Sequence, residues 1–203
     1  MTAQAGSITP AAADAARRKL RRDLRAKRRA LPAPVRAQAD RAIVASIKKL
    51  PEYRRARRVA LFLAFDGEPS LHPLVDVARR HRKQIYVPVL RGLTMTFAEL
   101  APGSELAANF FGIMEPKLGR EIAARDLDLV LTPLVAFDER GVRVGVGRGY
   151  YDRAFKFLRH RAHWRRPKLL GVAYELQHAP PLVPSSWDVP LWGVVTETQV
   201  RRF

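Results

Sequence analysis

The chain of 203 residues is 47% apolar, carries a formal charge of +18 and contains no cysteine. That length fits one domain with a sizeable core, and the composition excludes disulfides and thiolate metal sites. No apolar run is long enough to span a bilayer, and the first ten residues lack the basic start and apolar stretch of a secretory signal.

In chain order, residues 1–12 are small or polar and are expected to form a frayed tail. The spacing predicts a helix over Ala13–Leu31. Ala16, Leu20, Leu24 and Leu31 make a sparse apolar stripe, and Arg17, Arg21, Arg25 and Arg28 fall on one side. Between Arg17 and Arg58 there are 17 basic and 3 acidic residues, against 20 and 16 in the rest of the chain. On charge alone the arginines read as a solvated face whose field attracts phosphates, and the helix is assigned to the fold rather than to an organellar transit peptide. Pro32 and Pro34 end it, and Pro34 suits the start of a second helix with Val35, Ala39, Ile43, Ile47 and Leu50 inward.

Val59–Phe65 is a continuous apolar run, as in a strand buried on both faces. Ser70–Arg82 reads as a helix with Leu71, Leu74, Val75 and Ala78 inward. Gln84–Leu90 reads as a strand interrupted by Pro88, and Leu93–Leu100 as a short strand. Residues 101–125 read as irregular, with Glu115-Pro116 marking a turn. Leu127–Thr132 is a third buried strand, followed by a hairpin through Phe137–Val144 and a helix over Tyr150–Arg161. Lys168–Tyr174 and Gly193–Glu197 complete the strands. This alternation predicts an α/β fold: one domain over residues 13–203, three-layer, with a mostly parallel sheet, helices on both faces and Rossmann-like topology.

Gly141–Arg153 reads GVRVGVGRGYYDR and follows a strand and its hairpin into a helix. Gly145, Gly147 and Gly149 let backbone N–H groups approach an anion, and the helix start adds its positive end. Arg143 and Arg148 can pair with phosphate oxygens, and Asp152 in the first turn can hold a metal ion beside them. By spacing alone the glycines fit a tight turn equally well, and Asp152 also suits a helix N-terminus. The third glycine comes too early for the dinucleotide fingerprint. His160 and His163 share a helical spacing, but a solvated face explains them better than a metal, and Trp164 and Trp187 read as packing residues.

With Pro133–Asp138 (PLVAFD) ahead of it, this loop resembles the signature of the 5-formyltetrahydrofolate cyclo-ligases. Arg17–Arg21 (RRKLR), Arg29 with Ala30–Pro32, Phe62–Glu68 (FLAFDGE), Glu115-Pro116-Lys117, Gly171–Gln177 (GVAYELQ) and Trp187–Glu197 (WDVPLWGVVTE) extend the likeness over nearly the whole chain. The resemblance implies ATP binding by Arg17, Arg21 and the stretch Arg143, Val144, Gly145, Val146, Gly147, Arg148, Gly149, Tyr150 and Tyr151. It implies Mg²⁺ held by Asp152 and Asp188, and folate contacts from Leu63, Glu68 and Tyr151, with Arg143, Arg148 and Tyr151 nearest the reacting groups. Three positions depart from the family pattern. Arg17 stands where Lys is usual, Arg148 replaces a frequent Lys, and Trp192 stands where many members carry an Asp.

The implied reaction starts with attack of the formyl oxygen of 5-formyltetrahydrofolate on the γ-phosphate of ATP. N10 then closes the ring and expels phosphate. Such chemistry needs positioning and charge neutralisation more than a protein nucleophile. A cytoplasmic monomer with ATP and 5-formyltetrahydrofolate as partners is expected. The alternatives are a basic nucleic-acid-binding protein and a non-catalytic, nucleotide-binding relative. Nucleic acid is not an expected partner, because the basic segment lacks interleaved aromatics.

Overall fold

The computed structural model describes residues 10–160 and 166–203. Most of the expected tail, the predicted helix end at Arg161, and His163 and Trp164 lie outside the described residues. In chain order the elements are α1 (Pro10–Arg29), α2 (Ala33–Lys49), α3 (Pro51–Arg55), β1 (Arg58–Ala60), α4 (His72–Arg80), β2 (Gln84–Arg91) and β3 (Thr94–Glu99). There follow β4 (Leu106–Ala108), β5 (Met114–Pro116), β6 (Glu121–Ile122), β7 (Leu129–Pro133), β8 (Ala136–Phe137), β9 (Arg143–Val144) and α5 (Tyr150–Ala154). The chain closes with β10 (Lys168–Val172), β11 (Gly193–Val195) and β12 (Val200–Arg202).

Eight strands form one sheet in the order β12-β11-β10-β7-β1-β2-β3-β6. The five from β11 to β2 are parallel, β12 and β3 run antiparallel to them, and β6 pairs antiparallel with β3 at the edge. The central strands are apolar on both faces because both are covered. Leu129 and Leu131 of β7 enter one core with Ile43, Ile47 and Leu74 of α2 and α4, while Val130 enters a second with Phe155 and Leu158. The expected α/β sheet is present. The chain runs outward from β1 in both directions, so the strand order reverses between β1 and β7. In such sheets ligands bind beyond the C-terminal ends of the strands at that reversal.

Several boundaries differ from the sequence expectation, each for a local reason. The ladder of β1 stops at Ala60. Leu61 N–H still donates to Tyr86 O (2.9 Å), and the rest of the predicted strand leaves the sheet as a loop with Asp66 at φ 53°. Pro88 does not interrupt β2. Its position faces the side of β1, two residues beyond Tyr86, where β1 has already departed and no ladder bond is lost. Glu115-Pro116 lies in β5, and the turn is at residues 109–113. Val35 is exposed rather than inward. α5 spans one turn and gives way to a 3₁₀ turn over Lys156–His160, whose three-residue period puts Phe155 and Leu158 on one buried face. α5 is five residues long, so the dipole at its start is that of a single turn.

Candidate active site

The stripe of Arg17, Arg21, Arg25 and Arg28 on α1 does not face solvent, unlike the exposed Arg18, Arg22 and Arg29. Arg17 donates to Asp188 Oδ2 (3.0 Å) and Val183 O (2.5 Å), and Arg21 donates to Gly145 O (2.9 Å). Arg25 reaches Asp66 Oδ2 (2.7 Å), and Arg28 is 1% exposed. The solvated-face expectation is therefore corrected: the arginine stripe is the docking face of α1. Carbonyls and carboxylates at the C-terminal edge of the sheet repay its desolvation. Leu24 packs beside it on Val135, Ala136 and Val144.

The glycine loop leaves β9 and ends at Gly149 (φ 66°), which caps α5. Gly147 is at φ 99°, and its missing Cβ would stand 3.5 Å from Arg21 Cζ; at Gly145 no atom lies within 4 Å of that position. Any side chain at 147 is strained, so glycine here serves backbone geometry and close approach together. Burial, then the neighbouring Arg17, lower the pKa of Arg21. Two adjacent cations thus stand beside open backbone, the kind of arrangement that can cradle an anion. Val146 and Arg148 are exposed, and the Arg148 guanidinium stacks 4.1 Å over the Phe111 ring.

Arg143, buried, donates to Val189 O and to Asp152 Oδ1 (2.5 Å), and Val189 N–H donates to the same oxygen (3.2 Å). Asp188 Oδ2 accepts from Arg17 and from Ser185 N–H (2.8 Å). The two carboxylates sit on facing segments. Each leaves one oxygen, Asp152 Oδ2 and Asp188 Oδ1, free of hydrogen bonds among the described residues. That donor set fits Mg²⁺ shared with phosphates and water; no cluster of three or more His, Cys, Asp or Glu forms an all-protein cage among the described residues. Trp192 is not part of the pair. Its ring lies between Lys168 (4.1 Å) and Arg202 (5.3 Å) at the opposite end of the sheet.

Across the strand-order reversal, the loop after β1 carries Glu68. Burial pushes its carboxyl up to about 7, against the opposing pull of Arg28, whose Nη2 is 4.0 Å from Oε1. Phe65 N–H donates to Glu68 Oε2 (3.2 Å). Tyr151, half-buried, feels the fields of both Glu68 and Arg143; burial first and Glu68 second raise its hydroxyl pKa, so it stays a proton donor. Leu63 packs half-buried against the main core at the root of this loop. Tyr150 donates to Gly92 O (3.0 Å) and ties α5 to the β2–β3 turn.

Two features were not legible in the sequence. Arg28 joins three segments, donating to Leu134 O (3.2 Å), Asp66 O (3.0 Å) and Asp66 Oδ2 (3.2 Å). Its place in an arginine stripe was visible, but its burial was not. The β4–β5 hairpin brings Phe111 over the glycine loop and Gly112 against Phe65. Asn109 Oδ1 accepts from Phe111 N–H (2.9 Å) and Ile113 N–H (3.1 Å). Asn109 Nδ2 and Leu90 N–H both donate to buried Glu115 Oε1 (2.7 and 3.0 Å).

The profile of the 5-formyltetrahydrofolate cyclo-ligase family matches residues 13–197. The chain is 34% identical over 186 residues to the 5-formyltetrahydrofolate cyclo-ligase of Haemophilus influenzae, covering 88% of this chain and 96% of that one. It is 36% identical over 182 residues to the Escherichia coli K12 enzyme of the same name, covering 87% and 98%. The solved 5,10-methenyltetrahydrofolate synthetase of Aquifex aeolicus superposes with a TM-score of 0.80 at 33% identity, covering 92% of both chains. With that likeness running through both the glycine loop and the Glu68 loop, this chain belongs to the 5-formyltetrahydrofolate cyclo-ligase family.

Proposed function

We propose that this chain uses ATP to close the ring of 5-formyltetrahydrofolate, forming 5,10-methenyltetrahydrofolate, ADP and phosphate. One arrangement carries the assignment of roles: Phe111 stacks on Arg148 of the glycine loop, which ends at Tyr151, while the adjoining Gly112 lies against Phe65 of the loop that carries Glu68 across the strand-order reversal. A triphosphate on the glycine loop and a pterin at Glu68 then meet at Tyr151.

In this reading the formyl oxygen attacks the γ-phosphorus and ADP leaves. N10 attacks the activated carbon, the ring closes and phosphate departs. Arg17, Arg21, Arg148 and the backbone of residues 143–151 bind and orient the triphosphate. The protonated Tyr151 hydroxyl donates to oxygen at the reacting formyl group. Glu68 accepts paired N–H donors of the pterin, and Leu63 covers its apolar side. Arg143 holds Asp152 in place, and Asp152 and Asp188 would hold Mg²⁺, which would neutralise phosphate charge. A monomer in the cytoplasm is part of the same proposal; among the described residues no helix is long and apolar enough to cross a membrane.

The test is spectrophotometric. Purified protein should turn 5-formyltetrahydrofolate into the absorbing methenyl product only when ATP and Mg²⁺ are both present. Asp152→Asn should lose most turnover while unfolding within a few degrees of the parent. Full activity in that variant removes the metal role, and no product from the parent removes the reading altogether.

A further inference from the structure

A cavity of about 590 Å³ opens at the other end of the sheet, where the parallel strands begin. It is lined by Arg54, Arg55, Arg57, His81, Arg82 and Lys83, with no carboxylate and no Phe, Tyr or Trp among its lining residues. Part of this charge has a structural explanation. α2, α3 and α4 all end here, and Lys48, Lys49, Arg54, Arg55, Arg79 and Arg80 stand in their last turns, where they complement the helix dipoles.

Three cations fall outside that explanation. Arg57 and Arg82 lie beyond the helices, are exposed, and make no side-chain hydrogen bond or ion pair among the described residues. Lys83 is half-buried; its ammonium donates to Arg54 O (3.1 Å) and Ala56 O (2.6 Å), and burial lowers its pKa. The ammonium also lies over the Tyr53 ring (4.8 Å), and Asp128 acts on it only at a distance, with no carboxylate in ion-pair contact among the described residues.

Arg82 adds an independent observation. Lys83 N–H donates to Ala78 O (3.0 Å) and Arg82 N–H to Arg79 O (2.8 Å), which closes α4 with Arg82 at the left-handed position (φ 55°). Glycine occupies that position with less strain, so a cation is held over the cavity against the local backbone preference. The volume matches a small ligand. With no aromatic face to stack a base and Ala56 the one apolar residue in its lining, charge is what the cavity can recognise.

We propose that this cavity is a second anion site, separate from the glycine loop, which takes a compact anion of several linked phosphates. Titration calorimetry of the full chain with inorganic tripolyphosphate in magnesium-free buffer reads it. Two binding events per chain are expected, both weakening with added salt. Arg55→Glu combined with Arg82→Glu should remove one event and leave ATP- and folate-dependent turnover unchanged, while Arg21→Ala should remove the other. Arg82→Gly separates ligand binding from folding, because it should raise the melting temperature of the free protein yet weaken the cavity event several-fold. A single event per chain, or two events that survive the charge reversal, overturns the proposal. So does tripolyphosphate silence at the cavity alongside RNA binding that the charge reversal abolishes.

Discussion

Glu68 and Arg28 share one buried corner, and each sets the other's chemistry. Because Glu68 titrates near 7 in the fold against 4.5 as a free side chain, the folded state holds the extra proton between those values. Stability must then fall as pH rises from about 4.5 to about 7. Glu68→Gln should flatten that part of a melting-temperature profile. It should also raise KM for the folate by about 10- to 100-fold, the loss of charge-assisted hydrogen bonds, with a smaller change in KM for ATP. Arg28→Met removes the nearest counter-charge to Glu68 and strands the carbonyl of Asp66, while Leu134 O keeps its hydrogen bond from Gln177 Nε2. A cost of about 3–5 kcal/mol in urea unfolding is expected. The acid limb of kcat/KM should move to higher pH, because Glu68 loses the cation that favours its charge. An unmoved limb would mean that Glu68 does not govern that step.

At the scale of elements, α1 and the β4–β5 hairpin approach the glycine loop from two directions. The arginines of α1 were plain in the sequence, but their direction was not. Helical spacing shows which residues share a face without showing what that face meets. The acceptors Asp66, Gly145 O, Leu134 O and Asp188 lie between 37 and 171 positions away along the chain. The hairpin was invisible as an element because its strands are three residues each and its register rests on Asn109 and Glu115. Asn109→Ala should loosen the turn over the glycine loop. We expect KM for ATP to rise about threefold to tenfold, the worth of one or two hydrogen bonds, with kcat within a factor of two. Unchanged KM in steady-state assays would show that the hairpin takes no part in binding.

At the scale of the whole molecule, the charge of +18 divides between two ends of one sheet. The arginines of α1 serve the C-terminal edge, and those of α3 and the turn after α4 gather at the other. Ligand at the glycine loop should stabilise the entire cooperative unit. ATP at a hundred times its dissociation constant contributes about 2.7 kcal/mol. For a chain of this length that raises the melting temperature by about 5–10 °C. Scanning calorimetry with Gly147→Val as control checks it, since a side chain at φ 99° should abolish the shift.

What the sequence determined by itself was local and periodic. The doubly apolar strands, the α/β class and the glycine loop with its following tyrosines follow from spacing or from contiguous motifs, and those need no knowledge of distant partners; the pairing of Asp188 with Asp152 was implied only by the family resemblance. What only the tertiary structure decided was which charges are buried and against what. The sheet's strand order brings Leu134, Glu68 and Arg28 together, and α1 crosses the strand ends with Arg17, Arg21, Arg25 and Arg28 inward. Trp192 is carried to the far edge although it follows Asp188 by four positions. Burial and electrostatic pairing depend on contacts between residues far apart in the chain, and no local pattern encodes those.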